Sequence, residues 1–174
     1  IVLMGYLNPI EIMGYENFAG SAAAAGVDGV LVVDMPPAES MELHRRLAAA
    51  DIDTIYLVAP TTSADRAKDI AEACTGYLYY VSLKGVTGAA ITDHESIKES
   101  IESMRQLTDL PVVVGFGIKD FKSAQAMASV SDGIIIGSAL VEQIAKLSGG
   151  APEKPELPNC CDVIGEARGA IDSL

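Results

Sequence analysis

Three glycine-bearing segments are where this sequence could do chemistry: Gly85-Val86-Thr87-Gly88, Gly115-Phe116-Gly117 and Gly137-Ser138. Each comes shortly after an apolar run rich in β-branched or aromatic residues. A phosphate dianion is held by several converging backbone N–H groups with the positive end of a helix dipole behind them. Glycine lets the backbone come close, because no Cβ intervenes. One such glycine is what any tight turn requires. Three in consecutive connections, the last opening a helix, make a phosphorylated small molecule the ligand to consider. Neither Gly-x-Gly-x-x-Gly nor Gly-x-x-x-x-Gly-Lys-Ser/Thr is present, so the pattern is neither a dinucleotide fingerprint nor a nucleotide-triphosphate loop.

Other chemistry-bearing residues are isolated. His44 falls in Glu42-Leu43-His44-Arg45-Arg46, which reads as a solvated helix face, and His94 falls in the first turn of a helix. Neither has a Ser or Cys in a nucleophile motif, and their separation gives no metal-ligand spacing, so no metal is expected. Lys84 could form a Schiff base only if desolvated, and beside a glycine loop it reads as solvated. Asp34 ends the run Val30 to Val33, where capping the following loop or contacting a partner is the expected role. Cys74, Cys160 and Cys161 are odd in number with two adjacent, which suits reduced thiols and not a disulfide framework. The methionines are scattered through different elements and, Met4 apart, read as packing or surface residues.

The elements that must position these loops alternate. Strands are expected at Ile1 to Met4, Gly29 to Val33, Thr54 to Val58, Tyr77 to Val81, Val112 to Gly115 and Gly133 to Ile136. They show little apolar–polar alternation, so both faces should be covered, as in a parallel sheet flanked by helices. Between them the period becomes helical. Leu43, Leu47 and Ala50 form one stripe, Ile97, Ile101, Met104 and Leu107 a second, and Val141, Ile144 and Leu147 a third. The second opens with Thr92 and Glu95 at capping-box spacing. Gly149 to Asn159 reads as a turn-rich connection before a last helix with Val163, Ile164, Ala167 and Ile171 inward. Strand, loop and helix repeat within a single domain, residues 1–174, which implies an α/β fold, either an open doubly wound sheet or a closed barrel.

Composition narrows the partners. The 174 residues carry 24 Asp and Glu against 12 Lys and Arg, a formal charge of −12, and the pI is about 4.4. Nucleic-acid backbones and anionic membranes would be repelled at long range, whereas a small anion can still be held by local donors. No apolar run reaches the roughly 18 residues of a membrane helix, and a cytoplasmic location is expected.

Five ordered motifs then carry a resemblance. They are Val2-Leu3-Met4-Gly5-Tyr6-Leu7-Asn8-Pro9; Gly26-Val27-Asp28-Gly29-Val30-Leu31-Val32-Val33-Asp34-Met35-Pro36; Tyr77-Leu78-Tyr79-Tyr80-Val81-Ser82 running on to Gly85-Val86-Thr87-Gly88; Val114-Gly115-Phe116-Gly117-Ile118; and Gly133-Ile134-Ile135-Ile136-Gly137-Ser138-Ala139. Together they resemble the α subunit of tryptophan synthase. The resemblance implies a (β/α)₈ TIM barrel that cleaves indole-3-glycerol phosphate to indole and glyceraldehyde 3-phosphate. It implies no cofactor in this chain, pyridoxal phosphate belonging to a β subunit that receives the indole in an α₂β₂ heterotetramer. On matched positions, Gly88, Gly117, Gly137 and Ser138 would hold the phosphate, and Phe116, Ile135, Leu31 and Met4 would line the indole pocket. Tyr6 and Tyr79 would stand beside the reacting atoms, and Thr87 would orient a catalytic carboxylate.

One departure from the family pattern is larger than any agreement. The resemblance places both catalytic carboxylates on the second strand and the loop after it, whereas the first motif here matches the third strand. The six strands correspond to the third through eighth, so six of eight βα units and the C-terminal helix are expected in this chain, without the acid and base. A barrel of this kind takes about 250 residues. The uncapped opening at Ile1 agrees with a chain that continues upstream. Another phosphate-binding barrel, such as indole-3-glycerol-phosphate synthase, and a non-catalytic docking role are the competing readings.

Overall fold

The structure is a computed structural model that describes residues 1–82, 94–115, 117–147 and 161–174. Its elements run β1 (Val2–Gly5), α1 (Leu7–Met13), α2 (Tyr15–Ala24), β2 (Gly29–Val32), a 3₁₀ turn (Pro37–Glu39), α3 (Met41–Ala49), β3 (Asp53–Val58), α4 (Ala64–Ala73) and β4 (Leu78–Val81). They continue with α5 (His94–Arg105), β5 (Val112–Gly115), α6 (Phe121–Ala128), β6 (Gly133–Ile135), α7 (Ser138–Leu147) and α8 (Asp162–Asp172). All six expected strands form within a residue or two of the sequence boundaries. The chain divides into two compact units, residues 1–79 with 103–111, and residues 80–102 with 112–174.

In the first unit β1, β2 and β3 pair parallel, with Met4 opposite Leu31 and Leu31 opposite Ile55. Parallel neighbours joined through helices need a face for those helices to cover. Here Val30 of β2 packs with Ile10, Ala19, Ala22, Leu43 and Leu47 from α1, α2 and α3. Because strand side chains alternate, the row Met4, Leu31, Ile55 lies on the opposite face. Helix boundaries follow local chemistry. Ser63 accepts the Arg66 N–H and caps α4, and Asp34 Oδ1 accepts the Leu7 N–H at 2.8 Å at the start of α1.

In the second unit β5 and β6 pair parallel, Gly115 opposite Ile135. Ser82 donates both its N–H and its hydroxyl to the Gly115 carbonyl, at 3.2 and 2.9 Å. Helices α6 and α8 pack through small and flexible residues, Ala124 and Met127 against a face of Val163, Ala167 and Ala170, all buried. Asp120 caps α6 in a reciprocal capping box with Ser123.

Three expectations about burial are corrected. Strand β1 is exposed at Val2, Leu3 and Met4, because among the described residues it pairs on one edge only. On α7, Val141 and Ile144 are exposed, since no described element covers that face. In α8 the inward stripe is Val163, Ala167 and Ala170. Ile164 is exposed and Ile171 only half-buried, because Ala170 supplies the close approach to α6. The proposed cap Thr92 and the connection Gly149 to Asn159 lie outside the described residues.

Candidate functional site

Two of the three glycine-bearing segments follow paired strands of the second unit. Gly117 lies two residues beyond the end of β5 and Gly137 two beyond the end of β6, so both lie past the same, C-terminal, end of paired parallel strands. Gly117 has φ +77°, a left-handed backbone that side chains with a Cβ rarely adopt. Gly137 is exposed and faces open space where a Cβ would stand, leaving its amide approachable. Ser138 is exposed and is the first residue of α7, whose first turn is closed by the Val141 N–H donating to the Gly137 carbonyl at 3.1 Å. The first N–H groups of α7 have no acceptor within the helix, and its positive dipole end lies at the same place. Ile135, half-buried on β6 opposite Gly115, stands directly before it. Gly88, Thr87, Phe116 and Lys84 lie outside the described residues.

In the first unit Met4 and Leu31 are register neighbours on one face. Their exposures differ sharply, 56% for Met4 against 1% for Leu31, because Met4 belongs to the edge strand. Tyr6 follows β1 as the residue before α1 and is 64% exposed. Tyr79 on β4 is 4% exposed, and burial first, then the neighbouring Tyr77, pushes its phenol above the usual range. It is therefore a neutral O–H at physiological pH, able to donate a hydrogen bond and unable to act as a phenolate base.

Two residues differ from the sequence reading. Asp34 caps not the loop that follows it but the helix α1 that follows the preceding strand, through its 2.8 Å bond to Leu7. His44 is half-buried, not solvated, with its Nδ1 enclosed beside the β2–β3 core, because α3 turns that position toward Thr54. The charges around it, Glu42 with Arg45 and Arg46, are on the solvated face as expected, and the Arg46 hydrogen bond leads in holding the Glu42 carboxyl below its ordinary value. His94 opens α5 and its Nε2 lies 2.8 Å from the Ala126 carbonyl, a structural role. Buried Cys74 donates its thiol to the Tyr77 carbonyl, and burial pushes its pKa up, which disfavours a reactive thiolate. Among the described residues no cluster of three or more His, Cys, Asp or Glu could hold a metal ion.

Comparison with known proteins decides what such an arrangement belongs to. A family model described as tryptophan synthase alpha chain matches residues 1–160. The chain belongs to the tryptophan synthase alpha chain family. The alpha chain of Psychrobacter sp. (strain PRwf-1) is 54% identical over 148 residues, 85% of this chain and 54% of the relative. That of Marinobacter nauticus is 49% identical over 175 residues, all of this chain and 64% of the relative. Among solved structures, the tryptophan synthase subunit alpha of Legionella pneumophila str. Paris superposes with a TM-score of 0.85 at 38% identity, over 99% of this chain and 63% of that one. A Mycobacterium tuberculosis tryptophan synthase structure gives 0.85 at 32% identity, over 98% and 62%. The fold is thus the α/β TIM-barrel class of these tryptophan synthase alpha chains, and this chain spans under two thirds of their length.

Proposed function

We propose that this chain carries the substrate-binding portion of a tryptophan-biosynthetic lyase that cleaves indole-3-glycerol phosphate to indole and glyceraldehyde 3-phosphate. The observation that carries the reading is the pair of glycine loops at the C-terminal ends of β5 and β6, the second opening α7. Backbone N–H groups of Gly117, Gly137 and Ser138, with Gly88, hold the phosphate. On the family pattern, Met4, Leu31, Ile135 and Phe116 would serve the indole, Tyr6 and Tyr79 the reacting atoms, and Thr87 a catalytic carboxylate. The reaction breaks the bond between the indole ring carbon and the glyceryl chain. A base removes the proton of the neighbouring hydroxyl, whose electrons form the new carbonyl. The bond's electron pair stays on the indole carbon, which an acid protonates.

Both the acid and the base belong to the two βα units matched nowhere in this chain. The roles proposed for these 174 residues are accordingly in binding the phosphorylated substrate. No cofactor takes part here; the indole passes to a pyridoxal-phosphate-dependent β subunit in a cytoplasmic α₂β₂ assembly. The loop after β2, which borders a cleft of about 260 Å³ lined in part by Asp34, Pro36, Pro37 and Arg66, is the face offered to that subunit. Incubation with indole-3-glycerol phosphate is expected to give saturable binding and no indole above background. Robust indole release would overturn the assignment of the carboxylates, and absence of binding would overturn the phosphate site. Pull-down with a β subunit is expected to retain the chain.

A further inference from the structure

A polar cluster that the proposed reaction does not use is enclosed between β2, β3 and α3. Ser40 Oγ donates to the Pro37 carbonyl at 2.9 Å and shares a second hydrogen bond with the Tyr56 hydroxyl. Since a serine hydroxyl has one proton, the Tyr56 O–H is the donor in that second bond, and the tyrosine oxygen keeps acceptor capacity. Beside this pair, His44 Nδ1 and Thr54 Oγ1 are buried atoms without a hydrogen-bond partner, Thr54 being 7% exposed. All four residues border one small cavity of about 10 Å³, room for the centre of a single water-sized molecule, whose remaining lining is Val30, Val32, Met35, Leu43 and Leu47.

Two buried polar atoms without a protein partner, on residues that line one small void, would each forfeit the hydrogen bonds they make to water in the unfolded chain. A cavity of about this volume with two to four polar neighbours is the setting in which buried water is retained. We propose that this cavity is a binding site for one internal water molecule that bridges His44 Nδ1 and Thr54 Oγ1, with the Tyr56 hydroxyl as a further partner. Water suits the site as an ion does not: the lining holds no carboxylate to neutralise a cation. Water can donate to Nδ1 in one imidazole tautomer or accept from it in the other. The same Val32, Met35 and Tyr56 that border this cavity also line the 260 Å³ cleft, so the water ties α3 and the 3₁₀ turn to β3 from behind that cleft's wall.

Magnetic relaxation dispersion of water in the intact protein counts long-lived internal molecules. Thr54→Val, which replaces the hydroxyl by a methyl of the same shape, is expected to lower that count by one, and Thr54→Ser to leave it unchanged. Thr54→Val should also lower the denaturation midpoint, and His44→Leu should cost less in that background than alone. An unchanged count in Thr54→Val, or a midpoint that rises because an orphaned hydroxyl has been removed, overturns the proposal. Should Thr54→Val fail to fold, a high-resolution crystal structure of the unsubstituted protein decides: density within hydrogen-bonding distance of both atoms supports the site, and an empty cavity refutes it.

Discussion

Asp120 and Tyr15 show how far single side chains set local stability, and in opposite directions of pH. The Ser123 hydroxyl, followed by the Ser123 N–H, holds the Asp120 carboxyl below its usual range. Its contribution is therefore complete above the unfolded carboxylate pKa of about 4 and is lost as pH falls through the lower folded value. Asp120→Ala is expected to cost about 1 kcal/mol in urea titrations at neutral pH, with the difference shrinking in acid. Tyr15 is raised to about 12, first by its hydrogen bond to Glu11, then by burial and by the charges of Glu11 and Glu42. The fold here favours the neutral phenol, so this contribution is whole below pH ~10 and disappears as pH rises through the folded value. Ultraviolet difference titration should lose one late-ionising tyrosine in Tyr15→Phe. Neither effect was legible beforehand, because each depends on a rotamer choice and not on residue spacing. The places of Gly117 and Gly137 just past β5 and β6 were legible, since glycine after an unbroken apolar run marks the end of a strand.

At the scale of elements, helix ends are set by two matching motifs with different residues in the demanding position. After α2, the Gly26 N–H donates to Ala23 and the Val27 N–H to Ala22, and Gly26 has φ +74°. After α3, the Asp51 N–H donates to Ala48 and the Ile52 N–H to Leu47, with Asp51 at φ +59°. Both are Schellman turns, whose left-handed residue is ordinarily glycine. Gly26→Ala should destabilise by about 1 kcal/mol, and Asp51→Gly should gain roughly 0.5 kcal/mol after the entropy of the unfolded chain is subtracted. Chemical denaturation of the pair checks both signs. Strands were the most legible elements because unbroken β-branched runs between Gly, Asp and Pro have few other uses. Helix faces were less so. His44 shares a turn with Glu42, Arg45 and Arg46, and only the packing of α3 on β2 and β3 shows which side of that turn is inside. On α8 the small Ala170 won the interior over Ile164, since close approach to α6 rewards a small side chain more than an oily one.

For the whole molecule, five ordered motifs anticipated the family, where charge and the βα pattern left open sheet and barrel undecided, and the expected six of eight βα units agree with relatives of which the chain spans under two thirds. The bond from Leu7 to Asp34 links residues 27 positions apart, one at the head of α1 and one just beyond the end of β2. Tyr6 immediately precedes Leu7, so the carboxylate fixes the hinge from which Tyr6 leaves its strand. Neighbouring loops at this end are thus laced together by a single hydrogen bond. Asp34→Ala should cut that lace, moving the Tyr6 amide resonance while leaving those of α4 in place.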